Sequence, residues 1–207
     1  MALSGLPNNV AVLNFKNNFN TTVNKSLSGK TFVTNYGNPF WSFTLETPVR
    51  EQHDLFDVYG SFFLSTVGKV SDILLPTIND AAGTISGTPK VVNQSSSSPT
   101  YSTDVGSTTI GVQDGSGTLL TGDLISFSNH KKVYMVTSDC NLGDSSINTL
   151  SFTPGLVRSV APADGSTLVT VNYDNVGIQA IAENDVQTIN YGTDGYASYS
   201  QDFREVL

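Results

Sequence analysis

The segment 117–139, GTLLTGDLISFSNHKKVYMVTSD, constrains the fold more than any other part of the chain. Two apolar residues alternate with serines over 125–128, and Val133 and Met135 alternate with Tyr134 and Val136; a short polar turn separates the two runs. Alternation with a period of two is typical of strands, so the segment predicts a β-hairpin. Gly122 and Asp123 suit a tight turn before the first strand, because glycine accepts unusual backbone angles and aspartate can bond nearby amides.

Short strand-like runs recur along the rest of the chain, and Gly, Asn, Asp or Pro separates most of them. Residues 31–36 and 40–45 flank a Gly-Asn-Pro sequence and predict a second hairpin. Charged residues make up only 14% of the chain, which also has 18 glycines, and this composition favours strands and turns over surface helices. We therefore predict a mostly β chain with β-sandwich or barrel-like lobes.

One segment has the spacing of a helix rather than a strand. Apolar residues recur at helical intervals after Pro48 and predict an amphipathic helix over about 49–66. Residues 77–105 contain a serine run and few large apolar residues, so we expect a Ser/Gly-rich exposed loop or insertion there. The predicted organisation is a hairpin-plus-helix lobe over 1–76, this loop, and a β-rich lobe over 106–207.

Length and charge limit the class of protein. A chain of 207 residues can bury a core without a metal or a disulfide, and the single Cys140 excludes an intrachain disulfide. The sequence has no basic start followed by an apolar run, so we expect neither a secretion signal nor a membrane span. A formal net charge of −8 opposes non-specific binding of nucleic acid, and Lys131 and Lys132 are expected to be solvated turn residues.

No motif of a known catalytic centre is present. The two histidines, His53 and His130, have no nearby Cys or acidic residues at the spacing of a zinc site, and the aspartates do not match a helical calcium loop. We expect turn or capping roles for the aspartates, and solvated or internally hydrogen-bonded side chains for the histidines. The prediction is a non-enzymatic protein with no catalytic residues, no metal site and no cofactor, although two convergent carboxylates of a glycosidase would leave no sequence signature.

Aromatic residues offer two readings. Trp41 and its neighbouring phenylalanines could form an exposed platform, but their place in a hairpin favours a core. The C-terminal segment 195–207 alternates aromatic and polar residues, including Tyr199 and Phe203. Such a strand either completes its own sheet or pairs with a neighbouring subunit. If it is an interface element, deleting Tyr199–Leu207 should abolish assembly while leaving much of the fold.

The order of these motifs resembles a family of tailed-bacteriophage tail proteins. The motifs are SGK, FWSFTL, a helix, LLTGDLISFSNHKKVYMVTSD, TLSFTPGL and a terminal QDFREV, and they cover most of the chain outside 77–105. The resemblance implies a β-rich distal-tail or baseplate-hub protein. The positions that carry over imply framework and interface roles rather than an active site; they are Trp41, Gly122, Asp123, Lys132, Tyr134, Pro154 and Glu205.

The same resemblance implies where the protein works and with what. It predicts a ring-forming hub or adaptor in the virion tail, made in the host cytoplasm, that joins the tail tube to the baseplate, spike or fibre proteins. It implies no membrane partner and no specific nucleic acid. DNA would pass through the ring, and the acidity of the chain suggests a lumen that repels phosphate.

Two other classes of function stay open at this stage. A carbohydrate- or receptor-binding β module of the tail tip would expose aromatics to stack on sugars, among them Trp41, Tyr101, Tyr191, Tyr196 and Tyr199. A peptidoglycan-active enzyme would need a pair of carboxylates that the sequence does not identify.

Overall fold

The computed structural model describes residues 11–19, 21–35, 37–51, 53, 68–74, 85–92, 102–143, 146–161, 169–174, 176–184 and 188–206. The strands in these ranges are β1 (Ala11–Asn18), β2 (Thr21–Lys25), β3 (Thr31–Asn35), β4 (Phe40–Glu46), β5 (Arg50–Glu51), β6 (Ser71–Leu74), β7 (Ile85–Val91), β8 (Thr109–Leu119), β9 (Leu124–Phe127), β10 (Val133–Val136), β11 (Cys140–Leu142), β12 (Asn148–Thr153), β13 (Val171–Asn172), β14 (Gly177–Ala182), β15 (Thr188–Tyr191) and β16 (Tyr196–Glu205). They confirm a mostly β chain with sandwich-like and barrel-like sheets.

The chain divides into two compact units. Residues 70–180 form unit 1, and residues 11–69 with 181–206 form unit 2. This division differs from the expected lobes 1–76 and 106–207, because the C-terminal strand β16 pairs with β4: Ser200 to Arg204 lie opposite Glu46 to Ser42. A strand pair separated by more than 150 residues leaves no local signal in the sequence.

Unit 1 contains a sheet with the order β11-β8-β12-β10-β9-β13, and β7 also pairs with β8. The predicted hairpin of segment 117–139 is confirmed by β9 and β10, in which Ile125 lies opposite Tyr134. All four residues of β9 are buried, including the serine of the alternating pattern. The core of this unit is formed mainly by Val91, Ile110, Val112, Leu119, Ile125, Phe127, Tyr134, Val136, Leu150, Phe152, Leu156, Val160 and Val171.

Strand β7 lies inside the segment 77–105, for which the sequence predicts an exposed loop. Residues 85–91 instead pair with β8, and Val91 is fully buried. The register shifts between Gly87 and Lys90, next to Pro89. A proline and a glycine are tolerated in this strand because the irregular register accommodates a missing amide and a positive φ angle. These two residues also hide the strand from a reading of the sequence.

Unit 2 is built around β4 and β16, whose alternating residues turn one face inward. Trp41, Phe43 and Leu45 of β4 are buried, whereas Ser42 and Thr44 between them are half-buried. Strand β1 pairs with the other edge of β4, and β5 and β15 pair with β16. The alternation that the sequence shows in FWSFTL therefore defines the core face of this sheet.

One local prediction for unit 2 is wrong, and another falls mostly on residues outside the described ranges. Residues 31–36 and 40–45 do not form one hairpin, because β3 pairs with β2 and β4 pairs with β1. The helix expected over 49–66 lies mostly outside the described residues; at its start Arg50 and Glu51 form β5, and His53 is helical. Within the described ranges, no helix is long and apolar enough to cross a membrane.

Candidate functional site

The hairpin of β2 and β3, with the turn between them, is the most exposed apolar element among the described residues; residues 21–35 are here called the arm. The arm interrupts the chain between β1 and β4, which pair with each other. Its two strands pair only with one another in the described structure, and every residue of β2 is exposed. Its apolar side chains nonetheless include Val23, Leu27, Phe32 and Val33, all more than half exposed.

Each face of the arm has an apolar centre and a lysine. Val23 lies directly opposite Val33, so their side chains share one face. Phe32 belongs to the other face, where the Lys30 ammonium lies 5.9 Å from the ring centroid. Leu27 stands in the turn and is fully exposed. A hairpin that presents apolar groups on both faces and at its tip has the form of a contact element.

The tip of the arm is held by local hydrogen bonds. The Ser26 amide donates to the Lys30 carbonyl at 2.9 Å, and the Gly29 amide donates to the Ser26 carbonyl at 2.9 Å. The Lys30 amide also donates to the Ser26 hydroxyl at 3.1 Å. Gly29 has a φ of +80°, a conformation that glycine adopts without strain. The SGK motif of the sequence thus closes the turn, and the tip presents Leu27 and Lys30 in a defined geometry.

The charge of the arm differs in sign from that of the chain. The arm carries Lys25 and Lys30 and no carboxylate, so its formal charge is +2. Because the total is −8, the remainder of the chain carries −10. The arm is therefore a basic, apolar element attached to an acidic protein.

Gly122 and Asp123, two of the predicted framework residues, form the turn before β9. Gly122 has a φ of +100°, and its amide donates to the Val136 carbonyl at 2.9 Å. The buried Asp123 carboxylate accepts the Leu120 amide at 2.8 Å, while its carbonyl accepts the Val136 amide at 2.8 Å. The two residues join the end of β8 to β10, which is a structural role.

Asp139 lies close to the same turn. Its carboxylate accepts hydrogen bonds from the amide and the hydroxyl of Thr121, at 2.8 and 2.9 Å. These bonds, the amide bond first, lower the pKa of this exposed carboxyl. Asp139 therefore anchors the turn, as expected for the aspartates of this segment.

Tyr134 is the centre of a polar network inside the core of unit 1. His130 Nδ1 donates to Asn129 Oδ1 at 2.6 Å, so its neutral ring accepts the Tyr134 hydroxyl at Nε2 over 2.7 Å. The Tyr134 oxygen in turn accepts the Val157 amide at 3.2 Å. Burial, followed by the positive charges of Arg158 and Lys132, lowers the pKa of His130 to about 4.

This network holds the histidine ring in its neutral form. His130 bonds a tyrosine and an amide, and its ring also stacks on Phe127 with the centroids 5.8 Å apart. The sequence predicts a histidine that is either solvated or hydrogen-bonded within the protein. In the structure His130 is hydrogen-bonded within the protein. Lys132 is buried, in contrast to the solvated lysine expected, whereas the side chain of Lys131 is 63% exposed and 4.0 Å from Asp72.

Pro154 belongs to a buried loop that follows β12. The Thr153–Pro154 peptide bond is cis, and Pro154 itself is buried. A Cβ placed on the next residue, Gly155, would lie 2.7 Å from the Gly106 carbonyl oxygen. The Leu156 carbonyl accepts the Gly106 amide at 2.7 Å, so two backbone segments meet here in close contact. The proline-glycine-leucine motif is thus a packing element of unit 1.

Trp41, Phe203 and Glu205 meet in the core of unit 2, and Tyr199 lies on the same buried face of β16. The Trp41 ring stacks on Phe15 with the centroids 4.5 Å apart, and Phe203 stacks on Phe43 at 5.7 Å. Trp41, Tyr199, Phe203 and Glu205 are each at most 3% exposed. Burial also raises the pKa of the Tyr199 hydroxyl above its usual range. Within its own chain, therefore, the C-terminal strand completes the sheet.

A small groove lies in unit 2 where β1, β4 and β16 run side by side. Its volume is about 280 Å³, and its charged lining residues are Lys16, Glu183 and Asp202. The Thr44 hydroxyl in the groove donates to Asp202 at 2.6 Å. The lining is mainly polar and open to solvent, which suits a surface contact better than enclosure of an apolar ligand.

Among the residues that the structure describes, no three His, Cys, Asp or Glu side chains are grouped so as to hold a metal ion. Cys140 is buried in the unit 1 core, and burial raises the pKa of its thiol, which disfavours the reactive thiolate.

The motifs of the sequence do not single out the arm as a candidate site. Its signal is nevertheless readable: four large apolar residues and two lysines, without a carboxylate, in a stretch of fifteen residues. That pattern is typical of a half-buried strand as well as of an exposed one. Only the pairing of β2 with β3 alone shows that both faces are accessible.

No protein-family model and no curated protein matches the chain. The resemblance to phage tail proteins therefore depends on the motifs quoted above.

Proposed function

We propose that this protein is a non-enzymatic subunit of a bacteriophage tail, a ring-forming hub or adaptor between the tail tube and the baseplate or spike proteins. The observation that carries the proposal is the arm, a basic hairpin with exposed apolar side chains attached to an acidic chain. A ring subunit needs an element of this kind, because a ring closes only when each copy contacts its neighbour.

The order of motifs supports the tail assignment in particular. The positions that carry the resemblance lie in turns and cores: Gly122 and Asp123 in a turn, Lys132, Tyr134 and Pro154 buried in unit 1, and Trp41 with Glu205 buried in unit 2. Residues in such places maintain a framework that presents a separate contact surface. The protein would reside in the virion tail, with DNA passing through the ring.

The test is native mass spectrometry of the purified full chain together with proteomics of particles of the phage that encodes it. The proposal predicts a discrete ring mass and a copy number per particle equal to the number of subunits in that ring or a multiple of it. A strictly monomeric protein that is absent from particles contradicts the proposal.

A carbohydrate-binding module of the tail tip is the second candidate. Tyr191 and Tyr196 flank the turn between β15 and β16, and both are exposed, at 59% and 42%. Either exposed tyrosine can stack on a sugar ring, whereas Trp41 and Tyr199 are buried and unable to do so. Glycan-array binding that disappears in the variants Tyr191→Ser and Tyr196→Ser, with the exposed Phe19→Ser as control, would favour this function.

A further inference from the structure

We infer that the arm docks on an acidic surface of a second copy of this chain, and that this contact closes the ring. The inference rests on the proposed function and names the element and the partner through which the ring forms. Three observations support it. The apolar side chains of the arm are exposed, its charge is opposite in sign to that of the rest of the chain, and it contains no carboxylate that could receive the lysines of another arm.

The exposed side chains of the arm require a partner to become buried. An isolated two-stranded hairpin is marginally stable in water, and the edges of β2 and β3 have no strand neighbour among the described residues. Val23 and Val33 are 59% and 64% exposed, and Leu27 is fully exposed. Docking would remove this apolar surface from water and order the arm at the same time.

Charge identifies the partner as another copy. Two copies with a net charge of −8 repel each other, except where a basic element of one meets the acidic remainder of the other. Lys25 and Lys30 supply that element, and the remainder of the chain supplies −10. Exposed carboxylates suited to receive the lysines include Asp104, Asp139, Asp174, Glu183 and Asp194.

The geometry also suits a ring. The arm contains no carboxylate, so the surface it contacts lies elsewhere on the partner copy. Such a contact joins two different patches. When the partner's own arm engages a third copy instead of returning to the first, the contact is heterologous and builds a closed ring or an open filament. The arm contact therefore accounts for a cyclic assembly from one type of interface.

The experiment uses equal amounts of ¹⁴N- and ¹⁵N-labelled full-length protein, mixed under native conditions and treated with a carbodiimide that links amines to carboxylates directly. Peptide mass spectrometry then separates links within a chain from links between chains. The expected products join Lys25 or Lys30 of one isotope to a carboxylate outside the arm of the other isotope.

Two arm variants test the same contact by affinity. Lys25→Glu with Lys30→Glu reverses the charge, and Val23→Thr with Val33→Thr removes apolar surface but keeps residues that favour strands. Each is expected to weaken self-association at least tenfold in sedimentation experiments. Lys69→Glu and Val105→Thr, at exposed sites outside the arm, are the matched controls and should leave association unchanged. Circular dichroism checks that all variants are folded.

The outcomes separate this inference from the proposed function. Rings that form normally in both arm variants overturn the inference, while the tail assignment survives. Variants that still form rings but fail to enter particles show that the arm binds a different tail protein, which also overturns it. A wild-type chain that is monomeric and absent from particles contradicts the inference and the proposed function together.

Discussion

The backbone amide of Trp41 donates a hydrogen bond to the Glu205 carboxylate at 3.0 Å. This bond joins the start of strand β4 to the end of β16. Both residues are 3% exposed. If this acceptor were removed, the buried amide would lose a hydrogen bond, and water could not replace it. The contact explains why an acidic residue is buried near the C-terminus of a strand whose other buried residues are mostly apolar.

Replacing Glu205 is expected to destabilise unit 2 in a graded way. Glu205→Ala removes the acceptor and should lower the free energy of unfolding by about 2–3 kcal/mol, whereas Glu205→Gln keeps an acceptor oxygen and should cost about 1 kcal/mol. Urea denaturation measures both values. The exposed Glu183→Ala serves as control, and equal losses for Ala and Gln would mean that the charge rather than the bond is important.

Gly155 and Gly122 are expected to respond differently to alanine. A Cβ on Gly155 would lie 2.7 Å from the Gly106 carbonyl oxygen, so Gly155→Ala requires the backbone to move and should cost about 2–3 kcal/mol. At Gly122 the space is open, and the cost arises from the φ of +100°, about 1 kcal/mol or more. Thermal unfolding should show the larger decrease in Tm for Gly155→Ala; the reverse order would contradict the close contact.

His130 should make the stability of the protein depend on pH. Its pKa is about 4 in the folded protein and 6.5 when unfolded, so the unfolded state binds more protons between these values. Stability is therefore full above pH 6.5 and declines as the pH falls towards 4. Because the side chain is partly solvated, we expect a loss on the order of 1–2 kcal/mol over this interval.

The variant His130→Gln isolates this effect, because glutamine does not titrate. Its free energy of unfolding, measured by urea at several pH values, should change less between pH 6.5 and 4 than that of the wild type. His53→Gln, at an exposed histidine, should keep the wild-type dependence. An unchanged slope in His130→Gln would show that other groups cause the acid sensitivity.

Deleting residues 199–207 should unfold unit 2, contrary to the expectation that much of the fold survives. The deletion removes Phe203, Glu205 and all the paired residues from Ser200 to Arg204 opposite β4. Loss of one buried phenylalanine alone typically costs about 3–5 kcal/mol. Limited proteolysis should show rapid cleavage within 11–51, while removal of 206–207 alone leaves protection intact. Protection equal to wild type after the long deletion would refute the central role of β16.

Local patterns predict the strands of this protein well where one short segment contains the whole signal. The alternation in 117–139 predicts the β9–β10 hairpin, and Gly122 and Asp123 form the turn that their chemistry favours. The alternation around Trp41 likewise indicates which side chains of β4 face a core. These features depend on neighbours in sequence, and composition with periodicity is sufficient to show them.

Pairing between distant segments decided the remainder. Strand β3 pairs with β2 rather than β4, because β4 has β1 and β16 as partners, and β7 joins a sheet although its proline and glycine suggest a loop. The exposure of Val23 and Val33 follows from the pairing of β2 with β3 alone. The sequence by itself determined that the chain is acidic and β-rich and that turns separate its strands. Only the tertiary structure decided which apolar faces are covered, because burial depends on strands that meet from far apart in the chain.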